Sequence, residues 1–126
     1  MSASMELKDI TGVQEIEGLV AAFYSKVDTH PELAGYFKEV NWDVHLPKMV
    51  RFWDSILFYS GTYNGKPMEV HEQLHAVMPL KPEVFDAWIA LFCEVVDAQF
   101  NGLNAEQLKN KARSIATVMR LRVLHS

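Results

Sequence analysis

The apolar positions of this chain fall at helical spacing from residue 16 almost to its end, and no stretch alternates apolar and polar residues as a half-buried strand does. Ile16, Leu19, Val20, Phe23 and Val27 stand at i, i+3, i+4, i+7 and i+11, behind Thr11 and Gln14, which carry a capping-box spacing. "THPELAGYF" predicts a turn and then a short helix with Pro31 at its first position. A third helix is expected from about Trp42 to Tyr59, with Trp42, Leu46, Met49, Val50, Trp53, Ile56 and Leu57 on one face. "SGTYNGKP" reads as a polar loop; a short helix carrying His71 follows it and stops before the two prolines of "MPLKP". The most apolar helix is expected from about Pro82 to Phe100, on Phe85, Trp88, Phe92, Val95 and Val96. Asn101-Gly102 should end it and Asn104 should cap the last helix, whose face is Leu108, Ala112, Ile115, Met119 and Val123. The pattern predicts one all-α domain over residues 1–126, with residues 1–10 as a loose N-terminal extension.

Composition narrows the partners more than the fold. With 49% hydrophobic residues among 126, the chain has material for a core and should bury roughly two-thirds of its unfolded surface. The net charge is −4 and the basic residues are scattered, which argues against nucleic acid, since phosphate binding needs a clustered positive face. The single cysteine, Cys93, excludes an intrachain disulfide and fits a reducing compartment; its expected place is a buried position on an apolar helix face. "MSASMELKDI" has no apolar h-region, and no run approaches the ~18 apolar residues of a membrane span. A cytoplasmic protein without a membrane partner is expected.

One short motif suggests metal chemistry. "HEQLH" at 71–75 is the H-E-x-x-H string of zinc hydrolases, with His71 and His75 as ligands, Glu72 as general base and Glu94 as a candidate third ligand. The string is short enough to arise by chance, Pro79 leaves it little helix, and no strand is present to seat an extended substrate.

The histidines on apolar faces are more informative. His45 shares a face with Met49, Phe52, Trp53 and Ile56, and His71 lies three residues from both Met68 and Leu74. Two separate helices thus each aim an imidazole from an apolar stripe. Either histidine alone would most simply be a hydrogen-bonded core residue, and Phe23, Tyr24, Phe37, Phe52, Trp53 and Trp88 could simply fill the core. Together they also suit a pocket for a flat apolar cofactor, and a neutral imidazole is a good axial ligand for haem iron.

"FYSKV" at 23–27, "WDVH" at 42–45 followed by "RFW" at 51–53, "YNGKPMEVH" at 63–71 and "FDAWIALF" at 85–92 resemble, in order and spacing, the truncated haemoglobins. They are most similar to the third group of that family, the bacterial P-type, over about residues 15 to 122. The resemblance implies a truncated globin fold, a two-over-two helical sandwich around a pocket for haem b. It implies His71 as the proximal iron ligand, with Tyr24, His45 and Trp88 around the distal ligand and Phe37 packed on the haem. Phe52, Trp53 and Met68 would complete the pocket; Lys48, Arg51 and Lys66 are candidates to hold the propionates. His75 matches no family ligand. Pro47 departs from the family pattern, so the helix under His45 either begins late or is kinked there.

Two functions share this expected pocket. One is reversible binding of dioxygen, nitric oxide or a similar diatomic at a pentacoordinate iron. The other is nitric oxide or peroxide turnover, which requires electrons from an external, unidentified reductase. A zinc hydrolase and a haem-free helical interaction module are the alternatives in other classes.

Overall fold

The computed structural model describes residues 6–38, 40–61, 71 and 80–124. Four α-helices occupy the described residues: α1 (Val13–Val27), α2 (Trp42–Phe58), α3 (Pro82–Gln99) and α4 (Leu103–Leu124). A 3-10 turn spans Ala34–Phe37 between the first two, and there is no strand among these residues. Helix α1 packs on α2 and α3 on α4, while α1–α3 and α2–α4 contacts join the pairs into two layers of two.

The apolar stripes account for most of this packing. Ile16, Leu19, Val20, Phe23 and Val27 of α1 are all buried, and Phe92, Val95 and Val96 of α3 meet them in one core with Leu108 and Ala112 of α4. Edge-to-face contact of Phe23 with Phe92, at 5.3 Å between ring centres, ties α1 to α3. Helix α2 behaves differently. Only Trp53 and Leu57 of its predicted face are buried; Trp42, Leu46, Met49, Val50 and Ile56 are half-buried.

Several local expectations are corrected. The cap of α1 is Gly12, in extended backbone, and Thr11 donates from both its amide and its hydroxyl to Glu15 instead of pairing with Gln14. Pro31 lies in the turn after α1, where the His30 carbonyl accepts from Leu33 and Ala34, and the short helix begins only at Ala34. Helix α2 does not begin late. Asn41 caps it, its Oδ1 accepting from the Asp43 amide at 3.1 Å, and the helix runs through Pro47. Pro47 has no N–H to offer the Asp43 carbonyl one turn back, so that acceptor loses its helical partner.

Residues 8–10, just before α1, are held against the start of α4. Ile10 is fully buried, and the Asp9 carboxylate accepts from the backbone amides of Asn104 at 2.9 Å and Ala105 at 2.8 Å. Those are the second and third amides of α4, the ones a capping side chain ordinarily satisfies. Asn104 is therefore not the cap; its side-chain amide donates to the Ile10 carbonyl at 2.7 Å. Gly102, just before the helix, leaves room for Asp9: a Cβ there would lie 2.6 Å from the Cβ of Asp9.

Candidate functional site

A cavity of about 210 Å³ opens between the two layers. Tyr24 of α1 and Phe37 of the 3-10 turn reach it from one end. His45, Lys48, Phe52 and Trp53 line it from α2, and Trp88 from α3. His71, in helical conformation and half-buried, reaches the same space from its own segment. Eight of the side chains singled out in the sequence therefore converge on one hollow. Arg51 does not: it is exposed on α2 and stands outside this wall. Lys66 and Met68, with Glu72 and His75 of the zinc motif, lie outside the described residues. Glu94, the candidate third zinc ligand, is exposed on α3 and away from the cavity. The described residues contain no cluster of three His, Cys, Asp or Glu side chains able to hold a metal ion by themselves.

Sequence reasoning missed part of the wall. Tyr36, Leu33 and Leu80 line the cavity, as do Phe85 and Met119, which form a small second cluster with Leu80. Phe85 and Met119 lie on the apolar stripes of their helices, but periodicity alone cannot separate a residue facing a core from one facing a hollow inside it. Tyr36 and Leu80 sit between helices, where no period applies.

The chemistry of the wall is set by burial. Burial pushes the Tyr24 hydroxyl far above the ordinary tyrosine range, so it stays protonated and available as a donor. His45 is held below its usual value, by burial first and then by the nearby Lys48 and His71, so its imidazole stays neutral at physiological pH. Its Nε2 is buried and has no hydrogen-bond partner among the described residues. A polar atom left so costs free energy unless the cavity's occupant pairs with it. Trp88 adds an indole N–H, which only donates.

This donor set fits a flat, largely apolar cofactor. The aromatic and aliphatic walls suit a macrocycle. An imidazole reaches the hollow from a short segment of its own, and three polar groups with donor capacity belong to other elements. Lys48 stands at the wall as a cation for an acidic edge.

The bacterial-like globin family model matches residues 7–123, nearly the whole chain. The chain is a bacterial-like, truncated globin. It is 31% identical over 103 residues to the group 3 truncated hemoglobin of Campylobacter jejuni, covering 77% of this chain and 76% of that protein. The crystal structure of the group III truncated hemoglobin from Campylobacter jejuni superposes with a TM-score of 0.84 at 26% identity, over 94% of this chain and 95% of that one. The four-helix arrangement is thus the two-on-two truncated globin sandwich that the sequence resemblance implied. Membership in the globin family implies a haem and the binding of a small ligand at its iron. No helix among the described residues is long and apolar enough to cross a membrane.

Proposed function

We propose that this truncated globin holds a b-type haem through His71 and binds dioxygen or another small diatomic, nitric oxide included, beside Tyr24, His45 and Trp88. Residues 1–126 act as a single domain in this reading. The observation that carries it is the convergence of two imidazoles, a buried protonated hydroxyl and an indole on one apolar hollow of a globin fold. Haem held by His71 would supply an iron able to take up a small diatomic ligand. The protein supplies the surroundings. Tyr24 and Trp88 present hydrogen-bond donors to a ligand that draws negative charge, in a setting where water competes little. The neutral His45 ring brings one further N–H to the same space. Phe37, Phe52 and Trp53 exclude water by packing on the macrocycle, with Met68 assigned the same role, while Lys48, Arg51 and Lys66 meet the propionates. Two or three donors worth roughly 1–2 kcal/mol each slow ligand loss by about thirtyfold to over ten-thousand-fold. Slow release suits nitric oxide or peroxide chemistry, with electrons from a separate reductase, better than it suits carriage.

An absorbance spectrum of the protein with haem supplied tests this reading. A strong Soret band is expected, lost or badly weakened in His71→Ala and largely kept in His75→Ala. Equal sensitivity of both variants, together with stoichiometric zinc, would replace the haem reading with the zinc one. Stopped-flow release of oxygen, followed by mixing the oxygenated protein with nitric oxide, then separates turnover from binding. Fast release, with nitric oxide consumed no faster than by free haem, removes the turnover function.

A further inference from the structure

His45 does not simply point into the cavity; it is boxed. Three aromatic rings surround its imidazole, with centres at 5.1 Å for Tyr24, 5.9 Å for Phe37 and 5.6 Å for Trp42. All three meet it steeply, at 87°, 66° and 78°, the edge-to-face arrangement that aromatic pairs favour. Tyr24 and Phe37 also line the cavity, whereas Trp42 stands behind the imidazole, outside the wall. Trp42 is itself held from two sides. It is the first residue of α2, fixed there by the Asn41 cap, and its ring stacks on Phe37 at 5.8 Å and 14°. Tyr24 packs against it at 5.5 Å. The box does not satisfy the imidazole, whose buried Nε2 has no hydrogen-bond partner among the described residues. Apolar packing, and no hydrogen bond at that atom, keeps this end of the ring where it is.

We infer that Trp42 is the positioning residue for His45: it forms the outer wall of a three-ring box that keeps the imidazole against the cavity, and so sets how freely a small ligand passes. The kinetic consequence rests on the haem-pocket reading above; the side-chain consequence does not. Loss of one edge-to-face contact of this class shifts a two-position side chain by about two- to tenfold in population. Trp42→Leu removes the wall, while Trp42→Phe keeps a ring at the same place.

Two measurements on the full chain test this. In histidine-labelled protein, with and without haem, the His45 ring protons of Trp42→Leu should lose their ring-current shifts and their cross-peaks to Tyr24, and Trp42→Phe should restore most of both. After photolysis of the carbon monoxide complex, association should be about two- to tenfold faster in Trp42→Leu. In a His45→Ala background the same substitution should add nothing. Unchanged His45 signals in Trp42→Leu overturn the inference, and so does an equal acceleration in the His45→Ala background, because Trp42 would then act without the imidazole. If Trp42→Leu lacks the helical circular dichroism of the parent, Trp42→Met replaces it with the same two outcomes. A chain that takes up no haem shows no recombination, which defeats the haem reading; the imidazole signals still decide the role of Trp42.

Discussion

Replacing Asp9 with alanine tests whether α4 is capped from the far end of the chain. The substitution deletes the acceptors for the amides of Asn104 and Ala105, at 2.9 and 2.8 Å, and the local bond from Ile10 at 2.9 Å. Capping side chains contribute about 0.5–2 kcal/mol, and a negative charge at a helix N-terminus adds about 0.3–1 kcal/mol. Asp9 is half-exposed, so screening trims the charge contribution, and a loss of about 1–2 kcal/mol is expected. For a domain of this size that lowers Tm by roughly 4–8 °C. Burial pushes the Asp9 carboxyl up, but hydrogen bonds from the amides of Asn104, Ala105 and Ile10 outweigh it and hold the group below its ordinary value of 3.8. A depressed carboxylate stabilises fully above its unfolded pKa, and that contribution is lost as pH falls through the folded value. The gap between the parent and Asp9→Ala should therefore be full at neutral pH and shrink progressively below about pH 4. Asp9→Asn keeps an acceptor without the charge, so the parent's smaller advantage over it should shrink over the same range, while the difference between Asp9→Asn and Asp9→Ala should vary little. Thermal melts by circular dichroism at matched haem occupancy would measure this, since a bound cofactor moves Tm by itself. A gap that is absent at pH 7, or that stays the same size at pH 2, would refute the cap.

Gly102→Ala should destabilise by more than about 1 kcal/mol, because its φ of +149° is strained for any side chain and its Cβ would strike Asp9. Gly18→Ala, with nothing within 4 Å of the new methyl group, should stabilise by up to about 1 kcal/mol, and chemical denaturation distinguishes the two. Tyr24→Phe should keep the haem spectrum and speed ligand dissociation by about five- to thirtyfold in stopped-flow traces, through loss of a buried donor. Lys109 is buried between Asp97 at 2.6 Å and Glu106 at 2.7 Å, whose carboxylates are both more than half exposed. Asp97→Asn with Glu106→Gln should cost about 1–3 kcal/mol, by leaving a buried ammonium without counter-charge, whereas Lys109→Met should be nearly neutral. Hydrogen bonds donated by Lys109 to these carboxylates raise its pKa, so the pair's contribution is full below the ordinary 10.5 and fades as pH climbs through the raised value. Denaturation midpoints at pH 7 and above pH 11 would check the sign.

What the sequence made legible was local. The spacing of Ile16, Leu19, Val20, Phe23 and Val27 specifies a face, and every one of those residues is buried. His45 and His71 were recognisable as partners because each stood alone on an apolar stripe, and both meet the same cavity. What escaped was long-range. Nothing in "KDI" announces that Asp9 completes a helix 94 residues later, because a cap usually sits beside the amides it satisfies. The half-burial of α2 was equally hidden. Met49 and Leu57 occupy the same stripe, yet one faces the hollow and the other the core. Trp42 read as one more apolar residue on that stripe, and only the arrangement of its neighbours gives it a purpose.

Leu33, Trp53 and Phe85 belong at once to the packed interior and to the cavity wall. Such shared walls make cofactor supply part of the folding equilibrium. Each contact that haem makes with them is one the empty chain lacks, and a ligand that binds only the folded state raises stability by mass action. A cell short of haem would therefore hold less of this globin, and not merely a less active form of it. The amount of folded chain itself becomes a gauge of cofactor abundance.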